Sequence, residues 1–190
     1  MKSILSIICL FGVLCLNGQN EFEPNEDYPY GSPNPEAPAQ LKDYEPLIGL
    51  SDCKSVSRKP DGSWNPEIDM TWEFRYIMNG MAVQDQTLKD DGAHAGSIRQ
   101  YIADSSRWYV HYYSNTIPTA VLPAWEGNRQ DDKMILYRDQ KAPNGMEGMY
   151  KITFYEMRPE SFKWKGEWVN KDESIIYPTW TIACKKRKTQ

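Results

Sequence analysis

The chain runs to 190 residues, with 22 Lys and Arg against 26 Asp and Glu, for a formal net charge of −4. That balance speaks against nucleic acid as a partner, because binding to phosphate rests on clustered cations. The one basic run, Lys185-Lys186-Arg187-Lys188, is a terminal tail with no basic face behind it.

The first element is an export signal. Lys2 precedes an apolar run from Ile4 to Leu16, and Leu16-Asn17-Gly18-Gln19 follows, so residues 1–18 read as a signal peptide cleaved before Gln19. The run is too short for a permanent membrane anchor, and no later segment reaches spanning length. Cys15 raises lipidation as an alternative, but Gly12-Val13-Leu14 puts no small residue immediately before it. The expected product is secreted or periplasmic, and the loss of Lys2 takes its charge to −5. It keeps two of the four cysteines, Cys53 and Cys184.

Residues 19–46 hold six of the thirteen prolines. Residues 19–35 carry too little apolar surface to fold and read as an exposed leader. Pro35 to Tyr44 reads as a short helix, with Asn34 as its cap and Pro35 in its first turn. Residues 47–190 then form one domain, long enough to bury a core.

Inside that domain the dominant period is two. Ile68, Met70, Trp72, Phe74, Tyr76 and Met78 alternate with mainly polar residues, which a strand places on one face. Asn79-Gly80 follows, a favoured pair for a two-residue hairpin turn, and the chain resumes over Met81–Leu88. Further strand-like runs lie near 50–58, 96–103, 106–114, 119–126, 133–138, 148–157, 161–169 and 175–184, separated by Gly, Pro, Asn and Asp clusters. About ten short strands with almost no helix indicate an antiparallel meander, either a sandwich or a closed barrel.

The segment Leu47-Ile48-Gly49, the hairpin from Trp72 to Asp85, Arg107-Trp108, Phe162-Lys163-Trp164 and Trp180-Thr181-Ile182-Ala183 together resemble a bacterial secreted family of unknown function. That family is calycin-like, built of small antiparallel barrels related in shape to lipocalins and nitrobindins. The resemblance covers roughly residues 40–185 and implies an all-β, closed up-and-down barrel of about ten strands with an internal cavity. It departs in one place, since Gly49 is followed by Leu50-Ser51-Asp52 without the usual tryptophan. Nitrobindins hold haem through a histidine near the C-terminus. No histidine follows His111 here, so haem is not carried over and no cofactor is expected.

A barrel gives the hairpin a register. With Asn79-Gly80 as the turn, Tyr76 faces Val83, Phe74 faces Asp85 and Trp72 faces Thr87, while Arg75 with Gln84 and Glu73 with Gln86 form the outer side. Asp85 is then a carboxylate on an apolar inner wall, and it needs a partner. Arg138 and Arg99 are the candidates. Asp85 marks the floor of a ligand pocket, a structural ion pair or an exposed strand end at the rim. The candidate ligand-binding set is Trp72, Phe74, Tyr76, Asp85, Trp108, Tyr112, Arg138, Trp164 and Trp168, though aromatics also simply fill small barrels. Barrel closure makes the first and last strands neighbours. Cys53 and Cys184 are then either a disulfide latching the seam or two buried thiols at mismatched heights.

The catalytic inventory is thin. His94 and His111 show no spaced partner for a metal or a nucleophile–base pair, so no metal site is expected. The leading expectation is a noncatalytic protein binding a small apolar or amphipathic ligand in its interior. The alternatives are an enzyme with Asp85 as acid or base, and an interaction module presenting Tyr109, His111 and Tyr113 on its outer face.

Overall fold

The computed structural model describes residues 20–188, so the expected signal segment 1–18 and Cys15 lie outside the described residues. Ten strands follow one another: β1 Gly49–Ser57, β2 Ile68–Ile77, β3 Ala82–Lys89, β4 His94–Ile102, β5 Arg107–Ser114, β6 Ala124–Gln130, β7 Lys133–Asp139, β8 Gly148–Arg158, β9 Ser161–Asn170 and β10 Ile176–Lys186. Each pairs antiparallel with its sequence neighbours, and β1 pairs with β10, so the sheet closes into an up-and-down barrel. Closure removes every free strand edge. No helix among the described residues is long and apolar enough to cross a membrane.

The β2–β3 hairpin follows the expected register, with Trp72 opposite Thr87, Phe74 opposite Asp85 and Tyr76 opposite Val83. Asn79 and Gly80 both have positive φ, 52° and 75°, as a two-residue turn of this type requires. Glycine is demanded twice over at the second position, because a Cβ on Gly80 would lie 2.4 Å from the Ser32 carbonyl oxygen. Met70, Trp72, Phe74 and Tyr76 are buried, but Met78 is not: it sits in the turn and is 54% exposed. The inward face ends at Tyr76 because the strand itself ends at Ile77.

Two elements differ from expectation. The run 119–126 is not the sixth strand. Residues 115–123 form a loop in which Val121 is 81% exposed, and β6 spans Ala124–Gln130. Pro123 cannot donate to a ladder, so pairing starts after it. The helix is likewise displaced. Asn34 closes a turn, accepting from the Glu36 and Ala37 N–H groups, and a 3-10 helix then runs over Ala39–Leu47. Pro38 explains the shift: it lacks an N–H and drives Ala37 out of the helical region, so no helix can run through both.

The Pro-rich leader is tied down by its backbone rather than by apolar burial. Tyr76 N–H donates to the Tyr30 carbonyl, Asn34 N–H to the Gly80 carbonyl, and Phe22 N–H to Asn79 Oδ1. The 3-10 helix then crosses one barrel end, where Leu41, Tyr44 and Leu47 are fully buried. The Tyr44 ring meets Trp108 edge-on at 4.8 Å, and Trp108 Nε1 donates to Asp43. Beneath this plug, Phe74, Phe154, Phe162, Met134 and Val83 fill the barrel. The outward positions carry ion pairs such as Lys54–Asp69, Arg107–Glu126 and Lys163–Glu156.

Cys53 and Cys184 stand directly opposite each other on β1 and β10, at disulfide distance and 131 residues apart in sequence. The linkage constrains the unfolded chain across most of its length. Replacing both by alanine is expected to lower the unfolding free energy by roughly 4–5 kcal/mol in the chain-entropy model, measured by urea denaturation. A loss too small to resolve would mean that the β1–β10 ladder alone holds the seam.

Burial pushes the Tyr44 and Tyr76 hydroxyls each up to about 12 from the ordinary 10.0. Both stay neutral in the folded protein while the unfolded chain ionises near 10, so their contribution to stability is complete below that pH and lost as pH rises towards 12. An ultraviolet titration of tyrosinate should show a late phase coinciding with unfolding. Tyr44→Phe should remove one tyrosine from that phase.

Candidate ligand cavity

The barrel interior changes character along its axis. At the plugged end it is packed hydrocarbon. Midway comes a buried polar layer: Asp85, 3% exposed, projects inward from β3 and pairs with Arg99, 2% exposed, from β4. Trp72 Nε1 on β2 donates to the other Asp85 oxygen at 2.7 Å. Both carboxylate oxygens are therefore occupied. The Arg99 guanidinium also lies 5.0 Å from the centre of the Phe74 ring and 5.2 Å from that of Tyr44, a cation–π environment that joins the polar layer to the plug. Burial pushes the Arg99 guanidinium below its ordinary pKa, and the neighbouring Tyr44 opposes that shift.

Of the two arginines that the sequence offers to Asp85, the structure selects Arg99 by register. Val83 pairs with Arg99 and Asp85 with Ser97, so Arg99 is the diagonal neighbour of Asp85 on the same face. Arg138 sits four strands away on β7 and makes no ion pair with Asp85.

Above this layer, towards the unplugged end, lies a cavity of about 270 Å³. Trp72, Trp125, Trp164 and Trp180 line it with Tyr112 and Tyr150, and Asp85 and Arg99 lie at its base. Lys89, Arg138 and Gln140 line its upper part, at the ends of β3 and β7. Trp164 and Trp180 pack edge-to-face at 5.3 Å, and Trp125 stands between Tyr112 and Tyr150 at 6.2 and 6.3 Å. The Trp180 indole is fixed by donating to Ser55 Oγ at 2.8 Å. Gly166 leaves room for this wall, because a Cβ there would fall 2.2 Å from the Tyr150 hydroxyl.

The sequence-derived set divides accordingly. Trp72, Asp85, Tyr112, Arg138 and Trp164 converge on the cavity. Phe74, Tyr76 and Trp108 lie below it in the plugged half, as core. Trp168 is buried at the rim, its Nε1 donating to the Gln140 carbonyl, and it does not line the cavity. Among the lining residues outside the sequence-derived set are Lys89, Trp125, Tyr150 and Trp180. Lys89 was legible, since it continues the inward series Val83, Asp85, Thr87. Trp180 was legible too, since it continues the inward series Cys184, Ile182; the register shift between Pro178 and Trp180 lies beyond it. Neither histidine lines the cavity; His94 is exposed, and His111 lies half-buried on the outward side of β5 beside Tyr109 and Tyr113. No cluster of His, Cys, Asp and Glu among the described residues is placed to hold a metal.

No protein-family model matches the chain, and no curated protein is similar to it in sequence. Similarity appears among solved structures. Rv2717c from M. tuberculosis superposes with a TM-score of 0.54 at 10% identity, covering 80% of this chain and 100% of that one. An S-type phycobiliprotein lyase, CPES, from Guillardia theta gives 0.48 at 10% identity, covering 77% and 92%. A protein of unknown function from the DUF3598 family of Nostoc punctiforme gives 0.26 at 4% identity, covering 79% and 100%. At such identities the likeness to Rv2717c concerns the fold alone.

Removing one member of a buried ion pair strands the other. Arg99→Met is expected to destabilise the protein by about 3–5 kcal/mol, and Asp85→Leu with Arg99→Met by less than Arg99→Met alone. Urea unfolding of the variants checks this. A loss below about 1 kcal/mol for Arg99→Met would show that the pair is hydrated rather than buried.

Proposed function

We propose that this protein is exported and binds a small apolar or amphipathic molecule inside its barrel, without catalysing a reaction. One observation carries the reading: a barrel plugged and packed at one end keeps a cavity of about 270 Å³ at the other, walled by four tryptophans and two tyrosines. Small barrels ordinarily fill their interiors with side chains. Here the aromatic rings brace one another around a space, near the lower end of the roughly 300–1,000 Å³ usual for ligand sites. That size suits a molecule of one or two ring systems. Export is supported by the signal-like run at residues 4–16 and by the paired cysteines, which suit an oxidising compartment.

The catalytic alternative finds less support. Asp85 does line the cavity, but Arg99 and Trp72 hold both its oxygens, which leaves it poorly placed to take a proton from a substrate. Tyr109, His111 and Tyr113 are half-buried rather than a protruding patch, which weakens the interaction-module alternative.

The test uses N-phenyl-1-naphthylamine, a neutral probe of two ring systems, a naphthyl and a phenyl, whose fluorescence rises in apolar surroundings. Binding with 1:1 stoichiometry is expected, with energy transfer from the tryptophans. Ala95→Trp, which places an indole at a cavity-lining position of β4, should abolish binding while leaving the unfolding midpoint nearly unchanged. Absence of binding to the native protein, or undiminished binding to Ala95→Trp, overturns the reading.

A further inference from the structure

The cavity has a charge, and the charge specifies its ligand. Among the ionisable side chains lining it, Asp85 is neutralised by Arg99. That leaves Lys89 and Arg138, and among the described residues neither has a carboxylate within ion-pairing distance. Each instead lies on an aromatic face belonging to the cavity: Lys89 Nζ is 4.3 Å from the centre of the Trp180 ring, and Arg138 Cζ is 4.3 Å from that of Trp125. A cation held against an indole is oriented by the ring but keeps most of its capacity to donate. Of the Arg138 donors, one is used by Gln140 Oε1, at 3.0 Å.

Hydrogen-bond supply is equally one-sided. The acceptors of Asp85 are taken, and Gln140 Oε1 serves Arg138. On the donor side, Trp125 Nε1 is buried without an acceptor among the described residues. The site therefore offers cations and a free N–H group and has few free acceptors. A buried donor without a partner is costly, so a ligand that brings acceptors gains more here than one that brings donors.

Topology sets where the anionic group goes. Lys89 closes β3 and Arg138 is the last residue but one of β7, four strands round a ring of ten, so the two cations flank the unplugged end from nearly opposite walls. We infer that the cavity selects a small organic anion, a carboxylate or sulfonate on a ring system, with the rings between Trp125, Trp164 and Trp180 and the anionic group at the mouth between Lys89 and Arg138. This rests on the binding reading above. Partial burial pushes both cations below their ordinary pKa, so a bound anion would relieve a cost that the empty site carries.

Two probes with the same ring skeleton separate the claims: neutral N-phenyl-1-naphthylamine and its sulfonate, 8-anilinonaphthalene-1-sulfonate. The sulfonate should bind at least about tenfold tighter, the least that a charge-assisted hydrogen bond supplies, and Ala95→Trp should abolish both. Lys89→Met with Arg138→Met keeps the apolar stems over the indoles while removing the charges. This variant should lose the preference for the sulfonate, and a urea unfolding midpoint near that of the native protein reports that it is folded. Equal affinities in the native protein, or a preference surviving in the double variant, overturn the anion assignment and leave the cavity reading intact. Failure of both probes to bind, or their binding undiminished in Ala95→Trp, overturns both.

Discussion

Everything in this molecule depends on β1 finding β10. Once those strands pair, the ten-strand ring has no edge, and the pleat of each strand is fixed relative to its two neighbours. A one-residue slip anywhere would send a whole set of aromatic side chains into water and bring lysines inside. Closure thus turns a local alternation into a global constraint. The Cys53–Cys184 pair sits at the join, opposite in register, and reduces the freedom of the unfolded chain to pair any other way.

The closed ring then needs its two ends treated differently, and the chain uses unlike physical means for each. At one end the 3-10 helix delivers Leu41, Tyr44 and Leu47 into the bore, and Trp108, Phe74 and Phe154 pack up against them. At the other end no such segment enters among the described residues. Between them, the Asp85–Arg99–Trp72 layer divides packed hydrocarbon from empty space. Replacing that layer with hydrocarbon would often cost no stability, so its retention points to a role in fixing one arrangement of the rings around it.

How far the sequence discloses this depends on how local each determinant is. The β2–β3 hairpin is legible because alternation, Asn79-Gly80 and the two-residue turn all act within a few residues, and they place Asp85 opposite Phe74 without reference to the rest of the fold. The partner of Asp85 is not legible in the same way. Choosing Arg99 over Arg138 requires the β3–β4 register, which depends on how the Asp90–Ala93 turn closes. β6 is harder still. Its residues Glu126 to Gln130 have weak strand preference, and it exists because β5 and β7 pair with it from both sides, whereas the more strand-like Thr119–Leu122 run has no partner and stays in solvent. Trp180, by contrast, follows the local alternation of Ile182 and Cys184, and the bulge of β10 lies just before it, at Thr179.

Nonlocal features also shape the cavity. Trp125 comes from the strand that exists through its neighbours, and Trp180 from the strand with the bulge, yet these are the indoles that carry Arg138 and Lys89 on their faces. The Thr179 bulge braces the aromatic wall. Its hydroxyl donates to the Gly166 carbonyl and contacts the Tyr150 hydroxyl, holding the aromatic wall across three strands. A strand irregularity, a weak strand and two unpaired cations therefore act on the same few residues. Regular barrel geometry explains the packed half of the molecule; departures from it, each stabilised by a specific hydrogen bond or stacked cation, keep the other half open.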